Sequence, residues 1–123
     1  MILIFGGAYQ GKLDYAKANF NLNKICDLSE AAEPDISADC FCNTESYVMN
    51  CVKKGVEAKT WFEENEELLR DRIIIVTDVS QGVVPIDKDV RAFREMNGRL
   101  MVYLAGKADR VIRVFCGIGK DIK

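Results

Sequence analysis

Residues 1–13 have the sequence MILIFGGAYQGKL, in which an apolar run leads directly into a glycine-rich turn. An apolar run of this length that ends at glycines is typical of a buried β-strand. The run is also far too short for a signal peptide or a membrane span. This stretch therefore predicts a first strand, then a tight turn, and then the start of a helix.

Outward from this stretch, short apolar runs alternate with segments of helical periodicity. The runs cover residues 2–5, 24–28, 40–43, 73–77 and 111–116. This alternation is typical of a parallel sheet that is covered by helices on both faces. We predict an open, mostly parallel α/β sheet of about five strands, in a single domain that spans residues 1–123.

The runs differ in pattern, and the difference predicts where each strand lies in the sheet. Residues 73–76 are apolar at consecutive positions, as expected of a central strand that is buried on both faces. Arg113 interrupts the last run, which favours an edge strand with one face in solvent.

Two helices carry clear boundary signals. Ser46 is a candidate cap for a helix that ends at Gly55, and a longer helix is expected to start near Asp87. The longer helix has an apolar stripe, which consists of Val90, Phe93, Leu100 and Leu104.

Composition excludes several classes of function. The net charge is −2 and the 17 basic residues are scattered, so nucleic-acid binding is not expected. The five cysteines are an odd number, which predicts reduced thiols and a cytoplasmic protein without a membrane segment. Cys40 and Cys42 are predicted to pack in the core, because a sulfur-type metal site needs four ligands and the sequence contains no histidine.

The glycine turn matches seven of the eight positions of a Walker A phosphate-binding loop. In such a loop, glycines let the backbone N–H groups surround a phosphate at the positive end of a helix. We therefore predict that ATP or GTP binds here and that Lys12 acts on its β- and γ-phosphates. The predicted nucleotide-binding residues are Gly6, Gly7, Ala8, Tyr9, Gln10, Gly11, Lys12 and Leu13. The alternative is a glycine-rich turn that binds nothing.

The eighth position of the motif departs from the pattern. A serine or threonine normally follows the lysine and binds Mg²⁺ through its hydroxyl, whereas Leu13 has no oxygen to offer. We therefore expect Mg²⁺ binding to be weakened, and no residue is assigned as a direct metal ligand.

Polar residues follow two of the predicted strands, at the sheet edge where open α/β proteins bind ligands. Asp78 is a candidate catalytic residue that holds Mg²⁺ through water, with a loop-capping role as the alternative. Asn43 and Glu45 follow the third run in a comparable place and have a weaker claim.

The sequence resembles the adenosylcobinamide kinase/adenosylcobinamide-phosphate guanylyltransferase family. The first resemblance is the opening strand with Gly6-Gly7-Ala8 and Gly11-Lys12. The carboxyl half matches the family's terminal signature at Val76-Thr77, Gly82-Val83-Val84-Pro85, Arg91, Phe93-Arg94, Gly98-Arg99, Leu104-Ala105, Ala108-Asp109, Val111 and Gly117-Ile118.

The resemblance implies a P-loop NTPase-like fold, a trimer, a corrinoid substrate and two reactions in cobalamin biosynthesis. One is phosphorylation of adenosylcobinamide, and the other is GMP transfer through a covalent histidine. This sequence has no histidine, so guanylyl transfer is not expected of it. It also carries Leu13 for the family serine and Met101-Val102 for an Asn-Gln pair. Two readings stay open, a kinase-type enzyme and a catalytically inactive nucleotide-binding or scaffold homologue.

Overall fold

The computed structural model describes residues 1–80 and 87–123, and each of the five apolar runs contains a strand. In chain order the elements are β1 (Ile2–Gly6), α1 (Lys12–Asn19), β2 (Ile25–Asp27), β3 (Cys40–Cys42), α2 (Thr44–Lys54), α3 (Lys59–Glu64), β4 (Ile73–Thr77), α4 (Lys88–Lys107), β5 (Arg110–Phe115) and β6 (Ile118–Asp121).

The strands form one mostly parallel sheet in the order β2-β3-β4-β1-β5-β6. The first five strands pair in parallel, and β6 pairs antiparallel with β5. Ile2 of β1 lies opposite Ile73 of β4 on one side and Arg110 of β5 on the other. The predicted α/β class is therefore confirmed, and so is the interior position of β4.

The prediction that the last apolar run is an edge strand is wrong. The chain reverses at Cys116 and Gly117, which have φ angles of 51° and 75°, and returns as β6 to cover the edge of β5. Two successive residues with positive φ are the geometry of a tight β-hairpin turn. Arg113 is exposed through one face of the sheet rather than through an edge.

Apolar side chains form a core layer on each face of the sheet, as the alternation along buried strands requires. On one face, side chains from β1, β3 and β4 pack against α2, α3 and α4; they include Leu3, Phe41 and Ile74. On the other face, Ile4 and Ile75 pack against α1 through the buried Ala16. Helices thus cover both faces, with α1 forming most of the thinner layer.

The boundaries of two helices bear on the site. α2 begins at Thr44 with Asn43 as its N-cap, so the expected cap at Ser46 is wrong, whereas the end at Gly55 is confirmed. As a result Glu45 lies in the first turn of α2. α4 starts as predicted after Asp87, whose Oδ1 accepts hydrogen bonds from the backbone N–H groups of Asp89 and Val90. None of the described helices combines the length and the apolar character that a bilayer span requires.

Candidate functional site

The glycine loop, which we define as residues Gly6–Leu13, connects the central strand β1 to α1. Gly11 caps α1 with a φ of 82°, a conformation that glycine adopts without strain, and among the described residues no side-chain cap hydrogen bond is made at this helix end. The N–H groups of the first helical turn are consequently left for a partner outside the helix. The predicted order of strand, glycine turn and helix is confirmed.

The loop is fixed from outside by the turn between β5 and β6. The Gln10 side-chain oxygen accepts a hydrogen bond from the Cys116 N–H at 2.7 Å, and the Gln10 carbonyl accepts one from Gly117 at 2.8 Å. A Cβ atom at Gly11 would lie 3.4 Å from the Gly117 Cα. The backbone of the glycine loop therefore rests on this hairpin turn.

Lys12 is the charged side chain of the loop, and only 9% of its surface is exposed. Its Nζ donates a hydrogen bond to the Gly7 carbonyl at 2.7 Å, inside the loop that it belongs to. Burial lowers the pKa of Lys12 from 10.5, and the negative charge of Glu45 partly opposes this shift. A buried ammonium group with a single neutral acceptor is well suited to pair with an incoming anion.

A cavity of about 410 Å³ opens beside Lys12, between the start of α1 and the carboxyl ends of β3 and β4. It is lined by Tyr9, Gln10, Gly11, Lys12, Leu13, Asp14, Cys42, Asn43, Ile75 and Thr77. This is the edge at which open α/β sheets bind their ligands. The structure thus brings five of the eight loop residues together with Asn43, which follows β3, and Thr77, which ends β4.

The strand-end segment, which we define as residues Thr77–Ser80, begins at the end of β4, and its first residue, Thr77, lines this cavity. β3 and β4 pair only as far as Phe41 and Ile74, so within residues 1–80 and 87–123 the end of β4 has no paired strand on that side. Side chains form hydrogen bonds to the backbone there instead. The Thr77 N–H donates to Glu45 Oε1 at 2.9 Å, and Asn97 Nδ2 donates to the Thr77 carbonyl at 3.1 Å.

Asp78 caps the loop that follows β4. Its Oδ1 accepts hydrogen bonds from the Ser80 N–H at 2.9 Å and from the Ser80 hydroxyl at 2.6 Å, while its own N–H donates to the Gly6 carbonyl. Asp78 is not one of the residues lining the cavity named above. The geometry matches the loop-capping alternative.

Asn43 joins the ends of two strands. Its Nδ2 donates to Asp27 Oδ1 at 2.8 Å, and Asn43 itself has a positive φ of 54°. Burial alone would raise the pKa of Asp27, but hydrogen bonds from Asn43 and Ser29 outweigh it and hold that pKa below its ordinary value. Asn43, which lines the cavity, is therefore held by the charged carboxylate of Asp27, a contact that the sequence did not reveal.

Sequence reasoning missed the residues Thr77 and Asn97, and for Gln10, which it assigned to the loop, it missed the hydrogen bonds to the turn between β5 and β6. Asn97 lies within the predicted apolar stripe of α4, between Phe93 and Leu100, and its side chain is 1% exposed. A polar residue inside an apolar stripe is a recognisable signal, because it needs a buried hydrogen-bond partner. Gln10 occupies a variable motif position and carries no such signal.

The metal-binding capacity of the site follows from its oxygen donors. Leu13 packs against the core layer of α1 and brings no oxygen. Within the described ranges, no three or more Asp, Glu, Cys or His side chains converge on a common point. Cys42 borders the cavity, but burial raises its pKa to about 11 and keeps it a neutral thiol, as the core-packing prediction requires. The side-chain oxygens that line the cavity are those of Tyr9, Gln10, Asp14, Asn43 and Thr77, and of these Asn43 and Thr77 lie at the ends of strands.

Comparison with known proteins supports the resemblance. A family model described as cobinamide kinase/cobinamide phosphate guanyltransferase matches residues 17–122. The chain belongs to this family. The match begins within α1, after the glycine loop, and it includes residues 82–85 of the signature, which lie outside the described residues.

One curated relative is similar over a shorter stretch. The bifunctional adenosylcobalamin biosynthesis protein CobU of Salmonella typhimurium is 39% identical over 51 residues, which make up 42% of this chain and 28% of that protein. The aligned stretch thus spans well under half of either chain, while the family model spans most of this one.

Proposed function

We propose that this chain is a nucleotide-binding protein of cobalamin biosynthesis and that it holds ATP or GTP by the phosphates at the glycine loop. The observation that carries the proposal is Lys12, a buried ammonium group at the uncapped start of α1 and beside a cavity. An anion there is stabilised by the helix end and by the charge at once. The purine ring has no assigned contacts, so ATP and GTP are both candidates.

The direct test is titration calorimetry with ATP and GTP. Lys12→Ala is expected to weaken binding by about 1.5–3 kcal/mol, because it removes a charge-assisted hydrogen bond. Lys17→Ala is the matched control, since Lys17 lies on the same helix but is exposed. Equal affinities of the wild type and Lys12→Ala would remove the claim for the loop. A wild type that binds neither nucleotide would remove the whole proposal.

The reaction that we favour is phosphoryl transfer to a corrinoid alcohol of the cobinamide type. In it, Lys12 stabilises the charge that develops on the transferred phosphoryl group. Bound Mg²⁺ would supply further charge stabilisation. Guanylyl transfer through a histidine is not proposed, because the sequence contains none.

A second candidate is a catalytically inactive nucleotide-binding or scaffold homologue, and the substitution at Leu13 favours it. Incubation with radiolabelled ATP and adenosylcobinamide separates the two: label on the corrinoid supports the kinase, whereas binding without transfer supports the scaffold. We further propose a single-domain, cytoplasmic protein that assembles as a trimer. Light scattering on the purified chain tests the assembly.

A further inference from the structure

Thr77 lies beside the start of the glycine loop, on the strand that pairs with β1. It is in register with Gly6, the last residue of β1. Side chains alternate along a strand, so Thr77 shares its face with Ile75 and Ile73, both of which pack in the core layer of α1. The Thr77 side chain accordingly lines the cavity together with Lys12 and Leu13.

The backbone of Thr77 is fixed on both sides. Its N–H is bonded to Glu45, and its carbonyl is bonded to the buried Asn97. The next N–H, that of Asp78, donates to the Gly6 carbonyl at 2.8 Å. Within the described part of the chain, the Thr77 hydroxyl makes no hydrogen bond of its own. The hydroxyl is thus the polar group that Thr77 offers to the cavity.

At one position of the loop, the cavity lacks the oxygen donor that the motif normally supplies. Leu13 follows Lys12 where a metal-binding hydroxyl is usual, and its side chain is committed to the core layer of α1. Mg²⁺ takes oxygen ligands and is normally held jointly by the protein and the phosphates. A hydroxyl on the neighbouring strand β4 can supply the same donor type to the same cavity.

We propose that Thr77 is a further binding residue, whose hydroxyl serves the Mg²⁺ that accompanies the nucleotide and so replaces the oxygen that Leu13 lacks. This rests on the proposed nucleotide site. Glu45 and Asn97 are positioning residues for it, because they hold the Thr77 backbone from two different helices. The alternative is that Thr77 is only a strand-ending residue, which any β-branched side chain would replace.

The test is titration calorimetry with ATP, in MgCl₂ and in EDTA, on the wild type and three variants. Thr77→Val keeps the shape and removes the hydroxyl, and Thr77→Ser keeps the hydroxyl. We expect Thr77→Val to lose about tenfold in affinity with Mg²⁺ and to match the wild type in EDTA, and Thr77→Ser to resemble the wild type in both. Leu13→Ser returns a hydroxyl to the loop, and we expect it to restore Mg²⁺-dependent affinity in the Thr77→Val background.

The outcomes distinguish a failure of the inference about Thr77 from a failure of the proposed nucleotide site. Wild-type affinity of Thr77→Val in Mg²⁺ would overturn it, as would equal losses with Mg²⁺ and in EDTA. Failure of Leu13→Ser to restore the double variant would also count against it, provided that circular dichroism shows the fold intact. If the wild type binds no nucleotide under either condition, the nucleotide site itself fails.

Discussion

The glycine loop and the strand-end segment both border one cavity, the loop through residues 9–13 and the segment through Thr77, yet they are held in place by different means. The loop takes its shape from its own backbone, with Gly6 at its start, Gly11 at the cap of α1, and contacts to one neighbouring turn. The strand-end segment is held by side chains from 32 residues earlier, Glu45, and from 20 residues later, Asn97. A conformation fixed by the local backbone can therefore be recognised as a sequence motif. A conformation fixed by side chains that are distant in sequence can be recognised only in the folded structure.

The largest effect is expected from a change in the loop's first glycine. A Cβ atom at Gly6 would lie 2.3 Å from the carbonyl oxygen of Val114, a backbone atom that cannot move away as a flexible side chain can. Gly6→Ala should therefore lower the free energy of unfolding by about 3 kcal/mol, measured by urea denaturation.

Gly7→Ala is the matched control for this prediction. A Cβ atom at Gly7 would meet only the Gln10 side chain, at 3.7 Å, so its stability should stay within about 1 kcal/mol of the wild type. Similar losses for the two variants would show that the close approach of β1 to Val114 is not what restricts the first position.

Much of the fold could be predicted because its signals are local. Each apolar run could be assigned to a strand since buried parallel strands are apolar on both faces, as residues 73–76 are. β6 could not be predicted in this way. Its strand is mostly exposed, and its turn, Cys116-Gly117, lacks the Asn-Gly or Asp-Gly sequence that usually signals such a hairpin.

The candidate site likewise has parts that could be predicted from local sequence and parts that could not. The position of Lys12 followed from the motif, because a lysine at the start of a helix after a glycine turn has little freedom. The partners of Thr77 did not follow, since Glu45 and Asn97 come from helices whose packing brings them to the end of β4. Asp78 was predicted from its place after β4, but its hydrogen bonds to Ser80 are a matter of local loop geometry.

The second prediction concerns the hydrogen bond from Asn97 that holds the strand-end segment. Asn97→Ala leaves the Thr77 carbonyl without its partner and opens a small void in the core, so the free energy of unfolding should fall by about 2 kcal/mol. Asn19→Ala is the control, because its amide also donates to a carbonyl but lies on an exposed helix end. That variant should change stability by no more than about 0.5 kcal/mol. An equally small loss for Asn97→Ala would show that α4 does not hold this segment.

The smallest effect concerns the ionisation of Lys12, whose charge interacts with that of Glu45. Burial holds the pKa of Lys12 below 10.5, while Glu45, on the strand-end side, raises it. At pH values below the lowered pKa the ammonium is charged in both the folded and the unfolded chain, so its burial penalty is fully present. As the pH rises towards 10.5 the folded chain loses the proton first, and the penalty is relieved. A bound phosphate reverses the shift, because it favours the charged form.

Nucleotide binding should therefore take up a fraction of a proton at alkaline pH values around the lowered pKa of Lys12, and the uptake should decline as the pH falls below it. The phosphates of ATP are fully ionised in that alkaline range and do not contribute. Calorimetry in two buffers of different ionisation enthalpy measures the uptake. Lys12→Met should abolish it, and Glu45→Gln should move its onset to lower pH by removing the charge that supports the ammonium. Uptake that persists in Lys12→Met, or an onset unchanged in Glu45→Gln, would mean that the two walls of the cavity are not coupled through this pair.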